Sequence, residues 1–338
     1  MSLLLLLLMT MVPQENLEFP HPEFVLKCYP ETVMPGDMLY FTIVAKNPHA
    51  KSIYITDSFI LCTNDIQIRL KDSENQTQRL LFEGPALDFS RFLQPAEIKS
   101  GDSRVIAVAA INVLPLEDLK KPFWEKHLEN LSSSGTKFSF CATLTPYLSV
   151  DEYGTDCDGG LTFTLETPLV MKPRQEKEMA LIRKCYDETP KELFPTPYGR
   201  REPQRKIPSA KRLRLPNIIV KGEKVPQSQF ALSDNHYPAY PNAPETWQGW
   251  KELEENLTPS TMRDEIRFTR ILIQYCDTED EGVLKELKDW FADMNEVQRS
   301  VLVKRTRNQS KMYEAVKEFD TALLEWEKEH LRNKGLIE

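Results

Sequence analysis

"VMPGDMLYFTIVAKNPHAKSIYITDSF", residues Val33 to Phe59, is the stretch on which the architecture turns. From Met38 onward apolar residues occupy both parities of an extended chain. Met38, Tyr40, Thr42 and Val44 share one face, and Leu39, Phe41, Ile43 and Ala45 share the other. Two apolar faces predict a strand inside a sandwich, covered on one side and partly covered on the other. Pro35-Gly36-Asp37 supplies the turn before it: proline presets φ, glycine tolerates positive φ, and aspartate bonds nearby backbone. Asn47-Pro48-His49 ends the run, and alternation resumes from Ser52 to Thr56 with Ile53 and Ile55 on one side, so the two runs are expected to form a hairpin.

Working outward, further strands are expected at Glu23 to Tyr29, Ile66 to Lys71, Arg79 to Phe82, Arg104 to Ile111, Lys137 to Leu144 and Leu161 to Thr167. Many short strands with turn signals between them indicate a sandwich rather than a parallel α/β sheet. Ser100-Gly101-Asp102 repeats the logic of the first turn. The pattern changes in "LEDLKKPFWEKHLENL", which predicts a short helical insertion broken near Pro122, with Phe123, Trp124 and Leu128 on its buried face. Such an insertion either carries specificity for a ligand or packs against a sheet edge.

The turn Pro35-Gly36-Asp37, the alternating Tyr40, Thr42 and Val44, then Asn47, Ile53, Ile55 and Asp57, resemble the opening of bacterial Ig-like surface modules. Conserved-repeat and CARDB-type adhesion modules of cell-envelope proteins are the families meant. The resemblance implies an Ig-like sandwich for the N-terminal domain and an adhesive role. Those modules come in tandem, whereas this sequence holds one copy.

The chain divides into a signal-like apolar segment (1–17), the sandwich domain (18–173), a segment with a short helix and a proline-rich basic and aromatic linker (174–257), and an α-helical domain (258–338). "QEKEMALIRKCYD" predicts the short helix, with Met179, Ile182 and Tyr186 at helical spacing. Prolines then discourage both helix and strand. Between Arg200 and Arg214 basic residues outnumber Glu202, the one acid, which suits either a solvated linker or contact with an anionic polymer. "HYPAYPNAPETWQGW" follows, where Tyr237, Tyr240, Trp247 and Trp250 form either a platform for sugar or peptide or a strap laid over a neighbouring domain.

The C-terminal third is expected to form a small antiparallel bundle of four helices. Thr258-Pro259 opens the first, with Met262, Ile266, Leu272 and Tyr275 at helical spacing. Thr278 and Glu281 form a capping-box pattern before Val283, Leu284, Leu287 and Phe291. A third helix covers Val297 to Thr306, and Met312, Val316, Phe319, Leu323 and Trp326 stripe the last.

The 338 residues, 41% hydrophobic and 28% charged, suffice for two cored domains and exclude wholesale disorder. A formal net charge of -8 argues against a general nucleic-acid binder. The run Leu3 to Leu8 is too short to span a bilayer and reads as the apolar region of a secretory signal, although no Lys or Arg precedes it. Six cysteines include no C-x-x-C pair, and in an oxidising compartment Cys28 or Cys62 is placed to pair with Cys141.

No nucleophile elbow, phosphate loop, dinucleotide fingerprint or H-E-x-x-H helix occurs, and the five histidines are scattered. Asp151, Glu152, Asp156 and Asp158 offer carboxylates in one loop, but the EF-hand frame would put ligand positions on Gly154 and Leu165, so the calcium motif fails. The expectation is therefore an exported, non-catalytic binding or assembly protein of the cell envelope with no cofactor and no metal. Its partner would be a protein or an envelope polysaccharide, without nucleic acid and without a transmembrane anchor. Candidate contact residues are Phe123, Trp124, Tyr237, Tyr240, Trp247 and Trp250. An intracellular scaffold or regulator, or an enzyme without a local signature, are the alternatives.

Overall fold

A computed structural model describes residues 21–55, 66–80, 95–113, 122–128, 130–149, 157–159, 161–186, 217–226, 244–310 and 316–333. The N-terminal half is built of β1 (Glu23–Tyr29), β2 (Thr32–Val33), β3 (Met38–Lys46), β4 (Ile53–Ile55), β5 (Ile66–Lys71), β6 (Thr77–Arg79), β7 (Ala96–Ile98) and β8 (Ser103–Asn112). After the short helix α1 (Pro122–Leu128) come β9 (Thr136–Leu144), β10 (Tyr147–Ser149), β11 (Cys157–Gly159) and β12 (Phe163–Met171). The C-terminal half holds α2 (Glu176–Tyr186), the hairpin β13 (Asn217–Val220) and β14 (Glu223–Pro226), and helices α3 (Trp247–Glu255), α4 (Thr261–Thr278), α5 (Glu281–Asp293), α6 (Glu296–Ser310) and α7 (Lys317–Asn333).

A three-stranded sheet ordered β1-β3-β8 shares one apolar core with a five-stranded sheet ordered β2-β12-β9-β5-β6. A four-stranded sheet ordered β11-β10-β4-β7 adds Ile53, Ile55, Ile98 and Leu148 to the same core, and only the β2–β12 ladder is parallel among the described pairs. Leu39, Phe41, Ile43 and Ala45 of β3 meet Phe138, Phe140, Ala142 and Leu144 of β9 in this core, with the Phe41 and Phe140 rings 5.5 Å apart. Alternation along each strand makes this inevitable once both sheets turn the same parity inward.

The expected hairpin between the first two runs does not form. β3 is flanked by β1 and β8, while β4 belongs to the other sheet with β7 and β10. Asn47 redirects the chain: its side-chain amide donates to the Lys51 and Ile98 carbonyls, and its backbone pairs with Asp102 and Gly101. The Ser100-Gly101-Asp102 turn thus pairs with the end of β3, and the polar Asn47 is satisfied although buried.

The opposite face of β3 carries the second finding. Met38 and Tyr40, with Ala110 of β8, belong to the core of the helical half, packed among Met262, Ile266 and Leu302. Helix α6 lies across β1, β3 and β8. β3 is therefore covered on both sides, by a sheet and by helices, which is why neither parity of its sequence is polar.

The segment expected as a linker supplies structure. Met179 and Ile182 of α2, Ile218 and Val220 of β13, and Trp250 and Leu253 of α3 all lie in the helical core. Local periodicity could not report this, because each piece is too short to bury a face without its neighbours. Arg200 to Arg214 lies outside the described residues.

Helix ends also differ from expectation. Ser260 rather than Thr258 caps α4, its hydroxyl accepting from the Arg263 amide. Asp280 rather than Thr278 caps α5, accepting from the Gly282 amide, while Thr278 accepts from the Asp280 amide. Aspartate beside threonine is the better acceptor, and the shift of two residues follows.

Since β3 is common to both cores, Phe41→Ala in the sandwich and Phe268→Ala in the helical core are each expected to cost about 3–5 kcal/mol. Scanning calorimetry should show each variant unfolding in one transition that carries both domains. Two separated transitions would show that the halves fold independently.

Candidate functional site

The Pro35-Gly36-Asp37 turn seats the helical half on the sandwich. Gly36 has φ +87, and a Cβ there would lie 3.3 Å from the Met262 sulfur and 3.7 Å from Ile182, so no other residue combines that backbone with that approach. Asp37 accepts from the Met34 amide at 2.8 Å, inside the turn, and from the Met262 amide at 3.2 Å, at the first turn of α4. Arg174, fully buried, donates to Asp37 at 2.5 Å, to the Pro35 carbonyl at 2.8 Å and to Glu178 at 3.1 Å. Glu178 in turn accepts from the Thr258 amide and hydroxyl. Burial pushes the Asp37 carboxyl above the ordinary carboxylate value, and Arg174 with the two amides pulls against it.

Thr261 then serves as a surrogate strand partner. Its hydroxyl accepts from the Met38 amide at 3.1 Å and donates to the Met38 carbonyl at 2.7 Å. One turn further along α4, Glu265 accepts from the Tyr40 hydroxyl and from both terminal nitrogens of Arg305 on α6, at 2.6 and 3.2 Å. Burial drives the Glu265 carboxyl upward, and it raises the Tyr40 hydroxyl well above its ordinary value as well, with the Glu265 charge adding to the latter. The bidentate guanidinium of Arg305 favours the charged carboxylate and so works against that burial.

Beside this seam opens a cleft of about 490 Å³, walled by both halves. The sandwich contributes Tyr29 from the end of β1, Thr32 from β2, Met34 just after it, and Lys172 after β12. Ser260, Thr261 and Asp264 come from the start of α4, Trp290 and Asp293 from the end of α5, and Gln298 from α6. Asp264 accepts from the Gln298 side chain at 2.9 Å. Burial pushes the Asp264 carboxyl up against that bond and against Arg267 and Arg263. The Tyr29 hydroxyl is raised by burial and by the Asp264 charge. Trp290 is half-buried, with the Arg267 guanidinium 4.9 Å from its ring centre. Arg267 and Arg270 both grip Glu286, and Arg270 also takes Glu254 of α3, so this wall of the cleft is braced across three helices.

Of the residues expected from sequence to make contacts, the four described ones are not among the residues lining this cleft. Phe123 and Trp124 of α1 pack in the sandwich core, Trp124 with 0% exposure, while His127 ties the helix to Asp72 at 3.0 Å. Trp250, 1% exposed, is in the helical core and donates to the Pro244 carbonyl. Trp247 is half-buried and donates to Asp277. Both tryptophans belong to helix α3; Tyr237 and Tyr240 lie outside the described residues, as do the N-terminal leucine run, Cys62 and most of the acidic loop from Asp151. Among the described residues no cluster of three metal-ligating side chains occurs. Cys28 and Cys141 are free thiols, the former raised to about 12 by burial.

The cleft residues escaped the sequence because they converge from four separate stretches. Trp290 was the available signal: it stands next to Phe291, off the Val283, Leu287 and Phe291 stripe, where an aromatic ring needs another reason.

No family model matches the chain, and no curated protein matches it. Solved structures that align include the sporulation control protein Spo0M from Bacillus subtilis, at 12% identity and a TM-score of 0.26, over 48% of this chain and 55% of that one. The CARDB domain of the PF1109 protein from Pyrococcus furiosus aligns at 8% identity and TM-score 0.21, over 46% and 98%. The Salmonella enterica SafA pilin in complex with the SafB chaperone gives 12% and 0.22, over 47% and 60%. The chain spans about half of the Spo0M structure and 16% of an aligned β-glucosidase from Listeria innocua. A CARDB domain thus recurs in the company the opening turn suggested, but TM-scores of this size carry no argument.

Two outcomes follow from the charges. Glu265→Gln or Arg305→Met alone should destabilise by about 3–5 kcal/mol in chemical denaturation, because each strands a buried partner, whereas Glu265→Leu with Arg305→Met recovers much of the loss. The Glu286 carboxyl is held below its ordinary value of 4.5, first by its hydrogen bond from Arg270, with burial opposing. Its contribution is therefore complete above about pH 4.5 and lost as pH falls through the lower folded value; in acid titration Glu286→Gln should flatten that limb.

Proposed function

We propose that this chain is a non-catalytic binding or assembly protein of the cell envelope, with an Ig-like sandwich as scaffold and the interdomain cleft as its ligand site. The carrying observation is that both halves wall the cleft while a buried seam fixes them relative to one another. Interdomain clefts with a few convergent polar groups are the usual place for a ligand. The acid and base groups of the seam itself are paired with each other, which suits holding rather than turnover. The partner is a protein or an envelope polysaccharide.

An intracellular scaffold or regulator is the second reading. It applies where the apolar run Leu3 to Leu8 is not a secretory signal.

Fractionation of the native host with intact-mass analysis tests the address. A mature chain beginning after about Val12 and recovered outside the cytoplasm supports the envelope reading. An unprocessed chain in the cytosol moves the assignment to the scaffold. For the cleft, a thermal-shift screen of amines, anions and glycans should raise the Tm of the full chain and not that of Trp290→Ala. Equal shifts in both would place the ligand elsewhere.

A further inference from the structure

The cleft has a chemical preference written into its walls, and the inference drawn from it rests on the reading of the cleft as a ligand site. Four charged side chains line it: Asp37, Asp264, Asp293 and Lys172. Asp37 is already matched by Arg174. Asp293 and Lys172 are exposed at the rim, where water screens them. That leaves Asp264 as the half-buried charge of the interior.

Asp264 is incompletely served. Gln298, a neutral donor, satisfies its Oδ2, and no hydrogen bond to its Oδ1 is found among the described residues. Arg263 and Arg267 act on it only through space. A partly desolvated carboxylate with one neutral donor gains most from a cationic donor, because a charge-assisted bond is roughly twice as strong as a neutral one.

Two aromatic residues complete the environment. Tyr29 lies close enough to feel the Asp264 charge, and Trp290 forms another wall. Trp290 already accommodates a cation, since the Arg267 guanidinium sits 4.9 Å from its ring centre with Glu286 as counter-charge. Carboxylate plus aromatic rings is the combination that recognises organic cations, where the ring faces attract the charge and shield the carbon chain. The volume, about 490 Å³, falls within the range of small-molecule sites and exceeds what a bare metal ion needs.

We propose that the cleft takes an alkylammonium group, with Asp264 as its counter-charge and Tyr29 and Trp290 as its aromatic walls. A free amine and a lysine side chain presented by a partner share this chemistry.

The test is calorimetric titration of the full chain with cadaverine and, separately, with the peptide Gly-Lys-Gly; 1,5-pentanediol serves as the uncharged analogue and sodium phosphate as the anion. Binding of cadaverine or the peptide, absent for pentanediol, is expected, and Asp264→Asn should weaken it at least about tenfold, as the loss of one charge-assisted bond requires. Preference between the two probes identifies the source of the ammonium group. Trp290→Phe, which keeps a ring, should weaken binding only a few-fold, so a misfolded Asp264→Asn would not end the test. No heat with either amine up to millimolar concentration overturns the proposal, as does undiminished binding by Asp264→Asn. Phosphate binding that is lost in Gln298→Ala would overturn the ammonium assignment while leaving the cleft a ligand site. Ligands from the thermal-shift screen that shift Trp290→Ala equally would remove the cleft itself.

Discussion

Strand β3 is the constraint on which the molecule depends. One parity of its residues fills the sandwich and the other fills the helical half, so a single strand belongs to two hydrophobic cores. A register slip of one residue would exchange Phe41 for Tyr40 and place a hydroxyl in the sandwich core while removing it from Glu265. Register is thereby fixed from both sides. The two halves then have little freedom to hinge, because the strand cannot move relative to either core without disturbing the other.

Polar groups give this apolar junction its geometry. Burying Asp37, Arg174, Glu178, Glu265 and Arg305 is expensive in itself, and well-packed hydrophobic residues would serve stability as well or better. What the ion pairs add is direction. Arg174 reaches the Pro35 carbonyl, Asp37 and Glu178 at once, and Thr261 both accepts from and donates to Met38, so only one placement of α4 on the sandwich satisfies every group. The cleft is a consequence: with α4 seated and α6 laid across the sheet, the turns around β2 stand opposite the end of α5 and leave a gap lined by Tyr29, Asp264 and Trp290. The Asp264 carboxylate is held there by a fixed framework.

The sequence by itself determined several of the strands and the β-plus-α class of the fold. β1, β5 and the core of β8 and β9 sit where alternation put them, and the two-faced apolar pattern of β3 announced a strand covered on one side and partly covered on the other. Helices α2, α4, α5 and α7 were legible because a stripe at helical spacing needs only its own residues to be seen, whereas α6 carries no such stripe. Tertiary structure decided everything that depends on which face meets which. It separated β3 from β4 by giving β3 better partners in β1 and β8, and it packed the β13–β14 hairpin and Trp250 of α3 into the core of the helical half. It also made the cleft, whose residues are ordinary one by one: an acid in the first turn of a helix, a tyrosine ending a strand, a tryptophan beside a stripe. Periodicity reports a residue's relation to its own element, whereas a site arises from distances between elements, and those are set by packing over hundreds of residues.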